Sequence, residues 1–301
     1  ARRRRESFSV KRLRQWKSRR PKTTPDLVGP APHLLIEARM ITLREICQFL
    51  EDFAPPHLAE EWDNVGLLVG DPSQTIERVM NCLTITPASA AEAVRERADL
   101  IVTHHPLPFK PLKRLTTEQT PGRLLLTLIG AGIAVHSPHT AFDSAAAGIN
   151  QQLAEGLGLT GITALVPAAS EQPLGSGRRG KPSRPATLGE LAFRLKQFLK
   201  IDRLQVVGDL HSPVATAAVA CGSAGSFLEP AIQTGCQLLV TGETSFHTCL
   251  EAEANGISLL LTGHYASERF GVERLAEVLA GQFGGLTVWA SRDERDPLTW
   301  M

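Results

Sequence analysis

The 301-residue chain reads as an α/β protein of two similar α/β lobes related by internal duplication, with a metal site between them. Three observations lead there. Short apolar runs of strand length alternate with segments of helical period. A strand–helix–strand unit returns 138 positions later. Histidines and carboxylates fall directly after apolar strands, where ligand sites of α/β sheets collect.

Each element follows from its residues. Thr42 with Glu45 three positions on is a capping box, and Leu43, Ile46, Cys47 and Leu50 keep helical spacing. Val65–Val69 and Val79–Ile85 read as strands, Ala88–Ala98 as a helix and Leu100–Thr103 as a short buried strand. Leu124–Ala131 reads as helix and Ile133–His136 as strand. Residues 168–186 are rich in Gly, Pro, Ser and Arg and read as a linker loop. A helix over Leu188–Leu199 follows, then strands over Leu204–Val207 and Ala215–Cys221, a helix over Phe227–Ile232 and a strand over Ile257–Leu261. Strands alternating with helices predict sheets that are at least partly parallel.

The repeat is weak in identity but ordered. Val79–His104 and Ala217–Gly242 share span and order, and end Thr103-His104-His105 and Thr241-Gly242-Glu243. Each half continues with a helix and a Gly-Ile strand start at Gly132 or Gly256. Then come His139-Thr-Ala-Phe-Asp143 or His264-Tyr-Ala-Ser-Glu268, and finally Leu-Ala-Glu-x-Leu. Four matches in one order argue for duplication. The expected organisation is a basic disordered tail over 1–39, a first lobe over 40–167, a linker over 168–186 and a second lobe over 187–301.

Composition narrows the classes. With 43% hydrophobic and 21% charged residues the chain is neither disordered nor collagen-like. Net charge is +1, but residues 1–22 hold eleven bases against Glu6 alone, so the tail is +10 and the remainder −9. The tail reads first as a solvated extension with no specific role, and it also admits organelle targeting or a nucleic-acid or membrane-surface arm. Five cysteines with no Cys-x-x-Cys pair point to a reducing compartment, so a cytoplasmic location is expected. No run reaches the ~18 apolar residues of a membrane span, and no membrane partner is expected. Aromatics, at 5%, are too few for a single-strand stacking platform.

His104 and His105 follow a strand and precede Pro106, so their side chains diverge and each imidazole is able to serve a different centre. His264 and Glu268 lie one turn apart if a helix begins at Tyr265. Asp143 is the fifth candidate. Each taken alone also reads as an ordinary loop or surface contact. Together they are a His-plus-carboxylate set suited to Zn, Fe, Mn, Co or Ni, and two such ions favour hydrolysis. Cys221-Gly-Ser-Ala-Gly-Ser226 reads first as a tight strand–helix turn and second as a phosphate loop. There is no Gly-x-Ser-x-Gly or His-Glu-x-x-His motif.

Residues 40–301 resemble the NIF-three-like family, also called GTP cyclohydrolase I type 2 homologues. The resemblance is carried by Glu61-Trp-Asp-Asn-Val-Gly-Leu67, Asp99-Leu-Ile-Val-Thr-His-His-Pro106, Ser137-Pro-His-Thr-Ala-Phe-Asp143, Cys221–Ser226 and Gly263-His-Tyr-Ala-Ser-Glu268. It implies two divalent ions per chain, with His104 and Asp143 on one, His105 and His264 on the other, and Glu268 bridging. Glu268 and His105 are the catalytic candidates. His139 and His247 match further family histidines and are expected to support the ligands or face substrate. The resemblance also implies a toroidal homohexamer and a reaction like GTP cyclohydrolysis on a small-molecule substrate such as a nucleotide. Two departures stand out: Ala141 where the family usually has Asn, and a different run over Ser144–Ala147. No large insertion lies near 168–186, as in short-form members. The leading expectation is a metal-dependent hydrolase; the alternative is a non-catalytic metal-bound ring scaffold or regulatory partner.

Overall fold

Two mixed sheets face a shared interior in the computed structural model, which describes residues 40–168, 174–299 and 301. The tail expected over 1–39 lies outside the described residues. The first sheet has the order β15-β4-β5-β6-β2. Its parallel centre is β4 (Arg78–Cys82), β5 (Leu100–Thr103) and β6 (Ala134–Ser137). β2 (Gly66–Val69) is antiparallel at one edge and β15 (Thr287–Ala290) parallel at the other. A separate pair, β1 (Ile41–Thr42) with β3 (Thr75–Ile76), lies outside it.

The second sheet has the order β10-β14-β13-β12-β8-β7. Its parallel centre is β12 (Ala217–Ser223), β13 (Leu238–Glu243) and β14 (Ser258–Leu261). β10 (Gln205–Val207), β8 (Gly175–Pro182) and β7 (Leu159–Pro167) are antiparallel to their neighbours. A small pair joins β9 (Ala186–Thr187) and β11 (Pro213–Val214). Both sheets thus run three parallel strands in chain order and differ at their edges.

The helices are α1 (Leu43–Phe53), α2 (Pro87–Arg95), α3 (Thr120–Gly130), α4 (His139–Ser144) and α5 (Ile149–Gly156), then α6 (Leu188–Leu199), α7 (Leu228–Gln233), α8 (Phe246–Ala254) and α9 (His264–Gln282). Local chemistry starts several of them. Thr42 and Glu45 form the expected capping box, and Thr187 with Glu190 repeats it at α6. None of the described helices is long and apolar enough to cross a membrane.

Strand alternation makes the layers. Val79, Leu100 and Val102 point inward with Val219, Val240 and Leu260 into one core that both sheets share with α1, α5, α6 and α9. Met80 and Ile101 point the other way, under α2 and α3. Ala218, Leu239 and Leu259 point out under α7 and α8. Strands covered on both faces read as continuous apolar runs, which is why the sequence exposed them.

The sheets cross the expected boundaries. β7, within 40–167, belongs to the second sheet, and β15, within 187–301, belongs to the first. The linker reading of 168–186 is corrected in part: residues 175–182 are a strand between β7 and β12. Its glycines hid it, since small polar residues carry a loop signature. What seats it is Arg178, 2% exposed. Its guanidinium donates to the carbonyls of Gly175, Gly177, Ser144 and Ala145 at 2.7–2.8 Å and to Gln151 Oε1 at 3.1 Å. All five donors are used, and two of them cap the C-terminal end of α4. Replacing Arg178 with Met strands four carbonyls, so chemical denaturation should show a loss of about 3 kcal/mol. Lys, with one nitrogen in place of the planar fork, should not restore it.

Candidate metal centre

The C-terminal ends of parallel strands from both sheets deliver the cluster. β5 hands the chain to His104 and His105, whose amides donate to Cys82 O at 3.0 Å and Leu83 O at 2.8 Å. These bonds prolong the ladder and pin both residues. His104 is buried, 2% exposed, while His105 faces a cavity. β6 leads into α4, which carries His139 and Asp143 one turn apart. From the second sheet β12 brings Cys221 and Gly222, β13 ends on Glu243, and β14 leads through Gly263 into α9 with His264 and Glu268. Helix α9 packs against β4 and β15 on one side and β12 and β13 on the other, so it ties the two sheets at the site.

All five residues singled out from the sequence meet here. His104 Nε2 lies 3.6 Å from Asp143 Oδ1 and 3.8 Å from Glu268 Oε1. Glu268 Oε2 lies 3.2 Å from His105 Nε2 and 3.1 Å from His264 Nε2, and those two nitrogens are 3.2 Å apart. Two groups of donor atoms are close enough to hold a metal ion: His104, His105 and His139, and His105, His264 and Glu268. His139 therefore stands nearer the donors than a purely supporting role requires. His247, on α8, is exposed and belongs to neither group.

Three of the rings are held from behind. His105 Nδ1 pairs with Thr84 Oγ1 at 2.7 Å, His264 Nδ1 with Glu243 Oε1 at 2.9 Å, and His139 Nδ1 with Asp63 Oδ1 at 2.7 Å. The Thr84 amide in turn donates to Glu294 Oε1 at 2.6 Å, and Glu294 pairs with Arg269 of α9. His139 adopts φ 25°, a left-handed conformation uncommon outside glycine, at the point where its ring meets Asp63. By contrast neither nitrogen of His104 has a hydrogen bond, and Glu268 Oε2, although crowded by two imidazoles, has none of acceptable geometry. Asn81 and His136, in register on either side of Val102, are also buried without partners but join neither donor group.

Electrostatics follow from burial. Burial holds the His104 imidazolium well below its usual range. Burial also pushes the Asp143 carboxyl up to about 7, with the Glu268 charge adding to it. For Glu268 burial acts upward, yet His104, His105 and His264 outweigh it and keep the carboxyl ionised below its ordinary range. The Glu268 carboxylate beside it raises His264 to about 9, with Glu243 contributing. Cys221 donates its thiol to Asp143 Oδ1 at 3.1 Å and is held protonated by burial and by both carboxylates.

The turn after β12 serves geometry. Gly222 has φ +67°, and a Cβ there would overlap the Glu268 carboxylate. Its amide donates to Ser267 Oγ at 2.9 Å, and the Cys221 amide to Asn150 Oδ1 at 2.8 Å. Ala141 is buried in the main core, so the departure at that position is absorbed by packing. Sequence reasoning missed Asp63, Thr84, Glu243 and Glu294 as partners. Two of them carried a signal: Glu243 holds the strand-end place in the second unit that His105 holds in the first, and Asp63 lies in the Glu61–Leu67 motif of the family resemblance.

Comparisons agree with this architecture. The chain matches the Duf34/NIF3 (NGG1p interacting factor 3) family over residues 41–297. The GTP cyclohydrolase 1 type 2 homolog of Clostridium acetobutylicum is 32% identical over 242 residues, 80% of this chain and 90% of that one. The NIF3 homolog of Schizosaccharomyces pombe is 35% identical over 268 residues, 84% of this chain and 95% of that one. A solved Bacillus cereus protein related to NIF3 shares the fold with a TM-score of 0.80 at 22% identity, over 88% of this chain and all of the other.

Two outcomes test the geometry. Gly222→Ala should lose more stability in thermal unfolding than Gly235→Ala, which has a similar φ of +71° but open space at its Cβ. The difference should exceed about 1 kcal/mol. Burial raises the Asp63 carboxyl, but hydrogen bonds from His139 and Thr140 outweigh it and hold it at about 2, below its ordinary 3.8. Its stabilisation is complete above pH 3.8 and is lost as pH falls toward 2. Asp63→Asn should therefore flatten the acid limb of the stability profile in that window.

Proposed function

The chain belongs to the Duf34/NIF3 family, and we propose that it is a dinuclear divalent-metal protein whose cluster serves hydrolysis of a small molecule. The reaction would resemble the one its relatives are named for, GTP cyclohydrolase 1 type 2. The observation that carries this reading is the set of buried atoms without hydrogen bonds, both nitrogens of His104 and Oε2 of Glu268, inside a cluster of three imidazoles and two carboxylates. Buried polar atoms seldom go unpartnered in folded proteins. Mixed nitrogen and oxygen donors suit zinc, iron, manganese, cobalt or nickel.

We assign His104 and Asp143 to one ion, His105 and His264 to the other, and Glu268 to both. The split of the Glu268 carboxylate supports its bridging role: Oε1 lies toward His104 and Oε2 between His105 and His264. When bound, two such ions polarise a substrate oxygen and lower the pKa of water. The remaining contributions come from side chains. Thr84 and Glu243 engage the Nδ1 atoms of His105 and His264, which fixes ring orientation and leaves Nε2 toward the cluster. His105 and Glu268 join the sheets directly at the cavity wall, and to them we assign the catalytic role of orienting the reacting group. The homohexamer and the small-molecule partner implied by the family resemblance are part of the same proposal.

Purified protein should hold about two divalent ions per chain, measured by elemental analysis. The Asp143→Ala/Glu268→Ala double variant should hold less than about a tenth of that. In the metal-loaded protein His105→Ala should abolish formate or phosphate release from whichever member of a panel of GTP, other nucleotides and phosphoesters the wild type turns over. A double variant as loaded as wild type overturns the site. Loaded protein that releases nothing from GTP or from a panel of nucleotides and phosphoesters overturns hydrolysis and favours the scaffold reading.

A further inference from the structure

We infer that the cavity beside the cluster is built for a planar, uncharged ring compound of nucleobase size and not for a polyphosphate. The inference rests on the proposed function and names the substrate class of that same site. The cavity has a volume of about 520 Å³ and opens on His105, Asp143, His264 and Glu268. Two aromatic rings line it uncovered: Trp62 is 62% exposed and Phe109 48%, with centroids 5.8 Å apart. Each ring centroid is also 6.0 Å from that of His139, so the three rings form an aromatic corner next to the donor atoms.

This corner is held in place. Asn64 Nδ2 donates to Pro108 O at 2.8 Å, which joins the loop bearing Trp62 to the loop bearing Phe109. Asp63, next to Trp62, accepts from the Thr140 amide at 3.1 Å and pairs with His139. The loops are therefore fixed from beneath while the rings stay bare. Such faces suit stacking on a flat π-system. Val166, Phe227 and Pro230 add apolar wall, and Ser223 and Ser226 add short hydroxyls able to read ring nitrogens and carbonyls.

The charge argues in the same direction. The acidic lining residues are Glu60, Asp143 and Glu268, and no described Lys or Arg lines the cavity. Away from metal ions, the outer phosphates of a triphosphate are met by guanidinium forks, ammonium groups or a nest of backbone N–H donors. The turn after β12 leads only into a single 3-10 turn at Gly225–Phe227 and the six-residue α7. Apart from the cluster's own histidines and the ions it would hold, no cationic side chain among the described lining residues faces a phosphate chain.

The test is calorimetric titration of the full-length, metal-loaded protein with hypoxanthine, guanosine, GMP and GTP, with ion content measured on the same samples before and after. Guanosine and hypoxanthine should bind, and GTP should bind at least tenfold more weakly than guanosine. Trp62→Ala and, separately, Phe109→Ala should weaken guanosine at least tenfold with ion content unchanged, whereas Trp62→Phe should retain most of the affinity. GTP binding less than tenfold more weakly than guanosine, or more tightly, or no binding of either neutral compound to loaded protein, overturns the inference and leaves the metal reading standing. Protein that holds no ions yet binds guanosine through Trp62 overturns the metal reading instead.

Discussion

The Glu268 carboxylate is buried where the strand ends of two sheets meet, 3% exposed, and its charge has to be balanced there. Three imidazoles surround it, two of them from the opposite sheet, and His264, raised to about 9, supplies positive charge. Removing one partner from a buried charged group commonly costs about 3–5 kcal/mol, so the arrangement constrains everything around it. It explains why β12 must turn through a glycine, since any Cβ at Gly222 would occupy the carboxylate's place. It explains equally why Ser267 spends its hydroxyl on the Gly222 amide and the His264 carbonyl, locking the start of α9 to the end of β12.

The two sheets contribute to this point in different ways. The first supplies a ridge, His104 and His105, prolonged beyond β5 by ladder bonds to the loop after β4. The second supplies a helix start, and α9 then runs between the sheets within their common core. The chain's return to the first sheet as β15 has a local purpose. The segment after it places Glu294 on the amides of Leu83 and Thr84, while Glu92 accepts from Ser291 and from the amides of Arg292 and Asp293. The backbone that orients His105 is thus held by residues some two hundred positions away. On the other side Arg178 fastens the end of α4, and with it the Asp143 turn, to the hairpin of β7 and β8.

Much of this was legible from residues alone. Local signals sufficed where the physics is local: Thr42 and Glu45 cap α1, and Leu100–Thr103 is a strand because both its faces are apolar. The candidate donors were legible because each follows such a strand. The hairpin strand β8 was not, because Gly175, Gly177 and Gly180 mimic a linker and the sheet neighbours that give them structure are remote. Asp63 stood in a motif of the family resemblance, but its pairing with His139 was not legible, since that partner is far along the chain and only folding makes them adjacent.

The sequence by itself determined the alternation of strands and helices, the helix starts and the five side chains at strand ends. Those features depend on periodicity and on groups a few residues apart. Only the tertiary structure decided that both sheets share one core, that β7 and β15 exchange sheets, and that Thr84, Glu243 and Asp63 stand behind the histidine rings. Such pairings depend on the relative placement of whole elements, and no residue type or spacing encodes that placement on its own.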